Sequence, residues 1–209
     1  MTGRISKKIY HEFPLIELGL LPNNWVGQIW KTVNSYAILT QLDGQSSTSR
    51  EPENSDILDV HVVTGDIIHK NLSWLADLYN KDLKFLASQT IGKTLFPSSD
   101  IKSGININVL KGCGARYEWH VDSNPLTGVL FVTTHRPDKG GELVFKLGTK
   151  EVLVEPVAGK FIIFDARTIP HTVLPLNEQS ERISIPMNYF YDLNNQQRPS
   201  DLDDYLYEH

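Results

Sequence analysis

Cysteine is nearly missing: Cys113 is the only one among 209 residues, so no internal disulfide and no thiolate metal cluster can form within the chain. It sits in "KGCGAR", where a small residue suits a glycine-rich turn. No apolar run approaches the roughly 20 residues that span a bilayer, and the opening "MTGRISKKIYHEF" has no apolar centre of the signal-peptide kind. A cytoplasmic location without membrane contact is the expectation. A positive excess is also missing. Lys and Arg number 20 against 25 Asp and Glu, a formal net charge of −5, which gives no electrostatic reason to bind a phosphate backbone, and no nucleic-acid partner is expected. Neither an internal repeat nor a low-complexity tract stands out.

What remains is ordinary for a globular chain, with 40% hydrophobic and 22% charged residues. The length suits one sizeable core, so a single domain over residues 1–209 is expected. Two grammars divide it. In residues 21–37 and again from Asp66 to about Thr94, apolar residues recur at three and four, a helix pattern. Between them "QLDGQSSTSREPENSD", residues 41–56, is polar and aperiodic, a loop that could close over a substrate as a lid. After Gly104 the texture changes to short β-type runs separated by Gly, Pro and Asp: "INVL", "GVLFVTT", "GELVFKL", "KEVLVEPV", "KFIIFDA", "HTVLPL" and "RISIPMNYFY". The expectation is therefore a mainly β fold with N-terminal helices: a helical, loop-bearing part over about 1–100, a sandwich or barrel over about 101–192, and an acidic C-terminal tail.

The stretch "ARYEWHVDSN" carries the chemistry. Strand side chains alternate faces, so His120 and Asp122 can offer an imidazole nitrogen and a carboxylate oxygen to one point. That pair suits a first-row divalent metal, and His171, in "FIIFDARTIPHTVLP", is the candidate third ligand. Eleven residues on, Arg182 shares a strand face with Ser184. A buried arginine needs an anion, and its planar fork fits a carboxylate. Metal plus carboxylate receptor describe a site for a chelating 2-oxo acid.

The segment from Gly104 to Tyr191, with H-x-D at His120 and Asp122, a distal His171 and R-x-S at Arg182 and Ser184, resembles the iron(II) and 2-oxoglutarate-dependent oxygenases, in particular their prolyl-4-hydroxylase-like branch. Around those residues "LKGCGARYEWHVD", "KGGELVF" and "EPVAGKFIIFDARTIPHTVLPL" match in the order of turn, strand and ligand. The resemblance implies a double-stranded β-helix of jelly-roll or cupin-like form. It implies Fe(II) held by His120, Asp122 and His171, and 2-oxoglutarate with its 5-carboxylate on Arg182 and Ser184. Dioxygen is the further co-substrate, and hydroxylation of a C–H bond accompanies release of succinate and CO2. Halogenases similar to this family lack the carboxylate, so Asp122 favours hydroxylation. Nucleic-acid demethylases of the superfamily carry a second arginine six positions after the first, where this chain has Asn188.

Other residues divide between plain and functional roles. Asn106 and Asn108 alternate with Ile105, Ile107 and Val109, so the asparagines should face the barrel interior, either as a structural network or touching 2-oxoglutarate or substrate. Tyr117 is a core aromatic or a support behind the ligands. Glu118 has the parity of His120 but is expected to be an exposed strand-edge carboxylate. Asn188 shares parity with Arg182, and Trp119 should pack on the outer face. Arg116 and Lys160 are expected to be solvated charges, and "NLS" at 71–73 has no role without a secretory signal. His11, His61, His69, His135 and His209 show no partner spacing.

The leading expectation is hydroxylation of a small molecule, a free amino acid or a biosynthetic intermediate. A peptide or protein prolyl hydroxylase is the alternative, and a non-catalytic metal-binding jelly roll is a third. Substrate identity, regiochemistry, stereochemistry and oligomeric state are not written in the residues.

Overall fold

The computed structural model describes residues 8–42 and 58–196. The polar loop, apart from residues 41 and 42, and the acidic segment 201–209 lie outside them. Chain order is β1 (Tyr10–Pro14), α1 (Trp25–Tyr36), β2 (Ile38–Leu42), β3 (Leu58–Val63), α2 (Gly65–Asn71), α3 (Ser73–Leu78), a π turn (Tyr79–Leu83), α4 (Lys84–Ile91), β4 (Phe96–Pro97) and β5 (Ile107–Lys111). It continues through β6 (Tyr117–His120), β7 (Leu126–Phe131), β8 (Leu143–Leu147), β9 (Lys150–Val154), β10 (Lys160–Phe164), β11 (His171–Val173) and β12 (Glu181–Phe190). All pairings are antiparallel. The larger sheet runs β1-β10-β7-β12-β5-β3-β2 with β4 added on β12, and the smaller runs β6-β11-β8-β9. This is the two-sheet arrangement of a double-stranded β-helix.

The middle strands of the larger sheet are buried on both faces. Phe161 and Ile163 of β10 join Ile107, Val109, Ile183 and Ile185 in a core beneath the helices. Ile162 and Phe164 point the other way, into a second core with Phe131, Leu143 and Phe145 between the sheets. Continuous apolar runs such as "FIIF" follow from this double burial. Gly128 in β7 leaves the space that Phe161 fills, since a Cβ there would lie 2.5 Å from the ring.

Helix α1 buries Trp25, Ile29, Thr32 and Val33, a single stripe at the helical period. The helix expected over 66–94 is real in its periodicity but not continuous: Leu72 leaves helical geometry at φ −132, ψ 57, and Gly92, at φ 71, ends α4. Buried Leu75, Tyr79, Leu83 and Ala87 fall at every fourth position. Such a repeat drifts about 40° per step off one face of a straight α-helix, and the wider π turn between α3 and α4 keeps those side chains on the core.

The first hundred residues also supply strands that periodicity did not reveal. β1 caps the larger sheet against β10, and β2 and β3 extend its other edge beyond β5. These are short strands whose pairing partners lie far along the chain, so their alternation says little until the sheet exists. Among the described residues no helix is long and apolar enough to cross a membrane.

Candidate active site

His120 ends β6 and His171 begins β11, and the antiparallel register sets the two opposite one another. Their ring centroids are 4.2 Å apart. Each Nδ1 lies against a backbone carbonyl two residues earlier, His120 on Glu118 at 2.7 Å and His171 on Ile169 at 3.0 Å. Those acceptors assign the proton to Nδ1 and leave both Nε2 lone pairs for an acid or a metal.

Asp122 does not reach them by strand alternation, as the sequence suggested. β6 stops at His120, and Asp122 is held instead by its own N–H, which donates to the Ala166 carbonyl at 2.9 Å. Asp122 Oδ1 then stands 3.6 Å from Nε2 of His120 and 3.6 Å from Nε2 of His171. Its second oxygen accepts a short hydrogen bond from the Thr127 hydroxyl. Asn124 Nδ2 donates to Thr127 Oγ1 at 2.8 Å and to the Leu126 carbonyl at 2.7 Å. Ligand atoms of His120, Asp122 and His171 all lie within 4.8 Å of one another, the one such cluster among the described residues. Two neutral imidazoles and a carboxylate, each oriented by a second hydrogen bond, fit Fe(II) as a donor set with positions left open.

Electrostatics favours an ionised carboxylate here. Burial pushes the Asp122 carboxyl up, but the facing His171 charge, its hydrogen bond, His120 and Thr127 together hold it at about 2. For His171 burial acts downward and is outweighed by Asp122 and the Ile169 carbonyl, so the imidazole titrates above its ordinary range.

Arg182 is buried, with 2% of its surface exposed. Nε donates to the Gly141 carbonyl at 2.7 Å, Nη1 donates to Ser184 Oγ at 2.9 Å, and the guanidinium carbon sits 5.5 Å from the Phe131 ring centroid. Burial lowers its pKa to about 10, with Tyr117 and Glu142 acting against that. Among the described residues no carboxylate stands within ion-pair distance of it. A buried, still protonated guanidinium in that state is suited to receive an anion.

The two glycines of "KGGELVF" make room for this arrangement. Gly140 has φ 73 and passes so near Pro175 that a Cβ would lie 2.0 Å from its carbonyl oxygen. Gly141 has φ 85, and a Cβ there would lie 3.0 Å from Arg182 Cδ.

Both groups line one cavity of about 200 Å³ between the sheets. Asn106, Asn108 and Asn188 also line it, while Ile105, Ile107 and Val109 pack beneath the helices as the alternation required. Asn188 Nδ2 is committed to the Ser103 carbonyl at 3.0 Å. Tyr117 lines the cavity, its ring 6.1 Å from that of His120.

Glu118 departs from expectation. It is half-buried, lines the cavity and pairs with Arg116 at 2.7 Å, so neither residue is a simple solvated charge. Trp119 is half-buried, with Lys146 Nζ 5.4 Å from its ring. His135 is buried away from the cluster against the Glu181 carbonyl. Thr127 and Asn124 escaped sequence reasoning, because neither type nor spacing marks a hydroxyl that becomes relevant only when β7 passes the Asp122 turn. Val60 and Val62, from β3, form cavity wall that was hidden for the same reason.

Comparison with known proteins agrees with this geometry. A search of curated proteins by sequence finds no match. Residues 105–190 match the family model described as the 2OG-Fe(II) oxygenase superfamily. Among solved structures, a 2OG-Fe(II) oxygenase family oxidoreductase from Burkholderia pseudomallei superposes with TM-score 0.66 at 15% identity, covering 91% of this chain and 89% of that one. A prolyl hydroxylase from Trichoplax adhaerens, in complex with a hypoxia inducible factor oxygen degradation domain peptide, gives TM-score 0.63 at 18% identity, covering 88% and 84%. The non-heme alpha ketoglutarate dependent epimerase SnoN from nogalamycin biosynthesis gives 0.61 at 14% identity, covering 87% and 77%. Residues 105–190 thus carry the match to the 2OG-Fe(II) oxygenase superfamily, and that match, with the candidate iron site of His120, Asp122 and His171, supports an oxygenase that works with Fe(II), 2-oxoglutarate and dioxygen.

Proposed function

We propose that the protein hydroxylates an unactivated C–H bond of a small molecule, a free amino acid or a biosynthetic intermediate, with release of succinate and CO2. The observation that carries this reading is the presence, in one cavity, of the His120, Asp122 and His171 cluster and the buried Arg182 with Ser184. His120, Asp122 and His171 hold Fe(II), which when bound supplies the oxidising chemistry that no side chain can. Arg182 and Ser184 receive the 5-carboxylate of 2-oxoglutarate, a charged pairing that also relieves the cost of burying the guanidinium. Asn108, on β5 beside β12, and Asn106, just before that strand, line the same cavity and touch 2-oxoglutarate or substrate in this reading. The apolar wall of Val60, Val62 and Val129 excludes water from the C–H bond.

A peptide or protein prolyl hydroxylase is the second reading, favoured by the structural likeness to an enzyme solved with a bound peptide. One experiment addresses both. Anaerobically iron-loaded protein is given 2-oxoglutarate and air with a panel of free amino acids, prolyl peptides and pathway metabolites, and succinate is measured, with His171→Ala as control. Succinate stimulated by a free compound and lost in His171→Ala supports the first reading, and stimulation by peptides alone replaces it with the second. Iron and 2-oxoglutarate bound without succinate from any compound would count against both.

A further inference from the structure

Asp122 has two oxygens, and an iron site of this kind must use only one of them if 2-oxoglutarate and dioxygen are to find open positions. In the structure the two are not equivalent. Oδ1 faces both imidazole Nε2 atoms at 3.6 Å, and Oδ2 is engaged by the Thr127 hydroxyl. A hydroxyl has one proton, so its direction depends on what else it touches. Asn124 Nδ2 settles this: the Leu126 carbonyl can only accept, which fixes the NH2 end of the amide on that side. The second Nδ2 hydrogen then points to Thr127 Oγ1, making that oxygen an acceptor from Asn124 and directing its own proton to Asp122. Thr127 and Asn124 are buried, with 4% and 5% of their surface exposed.

We infer that Thr127, oriented by Asn124, is a positioning residue that keeps Asp122 a one-oxygen ligand and thereby preserves the coordination positions that 2-oxoglutarate needs. The relay rests on the iron and 2-oxoglutarate assignment made above. Without the Thr127 proton, Oδ2 loses its hydrogen-bond partner and turns toward the bound metal. A carboxylate that binds through both oxygens occupies a position that the co-substrate must then win back. The loss therefore falls on 2-oxoglutarate binding, whereas iron retention is kept or improved. A role in folding alone would show no such split.

The test is an anaerobic titration of 2-oxoglutarate into Fe(II)-loaded protein, followed by the visible charge-transfer absorption that a ferrous ion gains when a 2-oxo acid chelates it. Iron content is measured alongside. Thr127→Val, nearly the same in shape but without a proton to donate, should keep its iron and bind 2-oxoglutarate about 10- to 100-fold more weakly, the range for losing a group that orients a metal ligand. Thr127→Ser should restore the parent titration, and Asn124→Ala, which frees the hydroxyl to rotate, should fall between. A Thr127→Val protein that titrates like the parent overturns the relay. If that variant does not fold, Asn124→Ala decides, and a parent-like titration there overturns it equally. Absence of the band in the parent itself would instead remove the iron and 2-oxoglutarate assignment, and the relay with it.

Discussion

His120 and His171 are cross-strand partners whose rings stand 4.2 Å apart, each with Nδ1 anchored on the carbonyl two residues before it. The repeated geometry fixes both tautomers, so the site presents two Nε2 lone pairs and one carboxylate oxygen without rearrangement. Proton and metal therefore compete for the same atoms.

That competition has a sign. His171 titrates above its ordinary value, whereas Asp122, held at about 2, stays ionised. Metal needs the neutral imidazole, so affinity falls as pH drops through the raised value. Calorimetry with Co(II) in place of Fe(II) should show weaker binding at about pH 6 than at about pH 8, and equal affinities would contradict the assignment. For the metal-free fold the sign reverses: the stabilisation from His171 is complete below its unfolded pKa and is lost as pH rises through the folded one. In metal-free Asp122→Asn the His171 titration, followed by NMR, should move down.

Arg182→Lys keeps the charge and loses the fork. We expect iron content unchanged and 2-oxoglutarate affinity reduced by about 1.5–3 kcal/mol, the worth of a hydrogen bond to a charged group. Parent-like 2-oxoglutarate affinity in this variant would place the co-substrate carboxylate elsewhere.

Gly141→Ala meets three obstacles, a φ of 85 and a Cβ that would lie 2.9 Å from Leu176 Cδ2 and 3.0 Å from Arg182 Cδ. Stability should fall by about 1–3 kcal/mol and KM for 2-oxoglutarate should rise with it. Gly148→Ala is the control, since φ 59 is its only difficulty and nothing lies within 4 Å. Denaturant unfolding and steady-state kinetics on both variants separate backbone strain from crowding against Leu176 and Arg182.

Tyr79 joins the helices to β12: its hydroxyl donates to the Asn188 carbonyl at 2.7 Å and accepts from the Ser98 N–H at 2.8 Å. Tyr79→Phe should cost about 0.5–1.5 kcal/mol in unfolding free energy, the net worth of a hydrogen bond, because the Ser98 N–H still donates to the Asn188 carbonyl at 3.1 Å, with 2-oxoglutarate binding unchanged. A loss of binding without loss of stability would show that the helical layer tunes the cavity directly.

Much of the site could be read from local pattern because its parts are local. R-x-S at Arg182 and Ser184 works through strand parity, and the alternation of Asn106 and Asn108 with Ile105, Ile107 and Val109 predicted which set faces the cavity. Parity failed at Asp122, where the chain has already left β6 and the Ala166 carbonyl sets the position. For Glu118 parity was right, since it lines the cavity beside His120, but the exposed strand-edge expectation failed because nothing local says that Arg116 folds back onto it at 2.7 Å.

By itself the sequence determined the residue types and their order: the ligand set, the arginine with its serine, the alternation of the β half and the apolar stripe of α1. These are properties of neighbours along the chain, governed by periods of two and of about 3.6 residues. Only the tertiary structure decided that β1, β2 and β3 join the larger sheet, that the second helical stretch breaks at Leu72, and that Thr127 reaches Asp122 from another strand. Each depends on contacts between segments distant in sequence, whose partners do not exist until the two sheets have closed on one another.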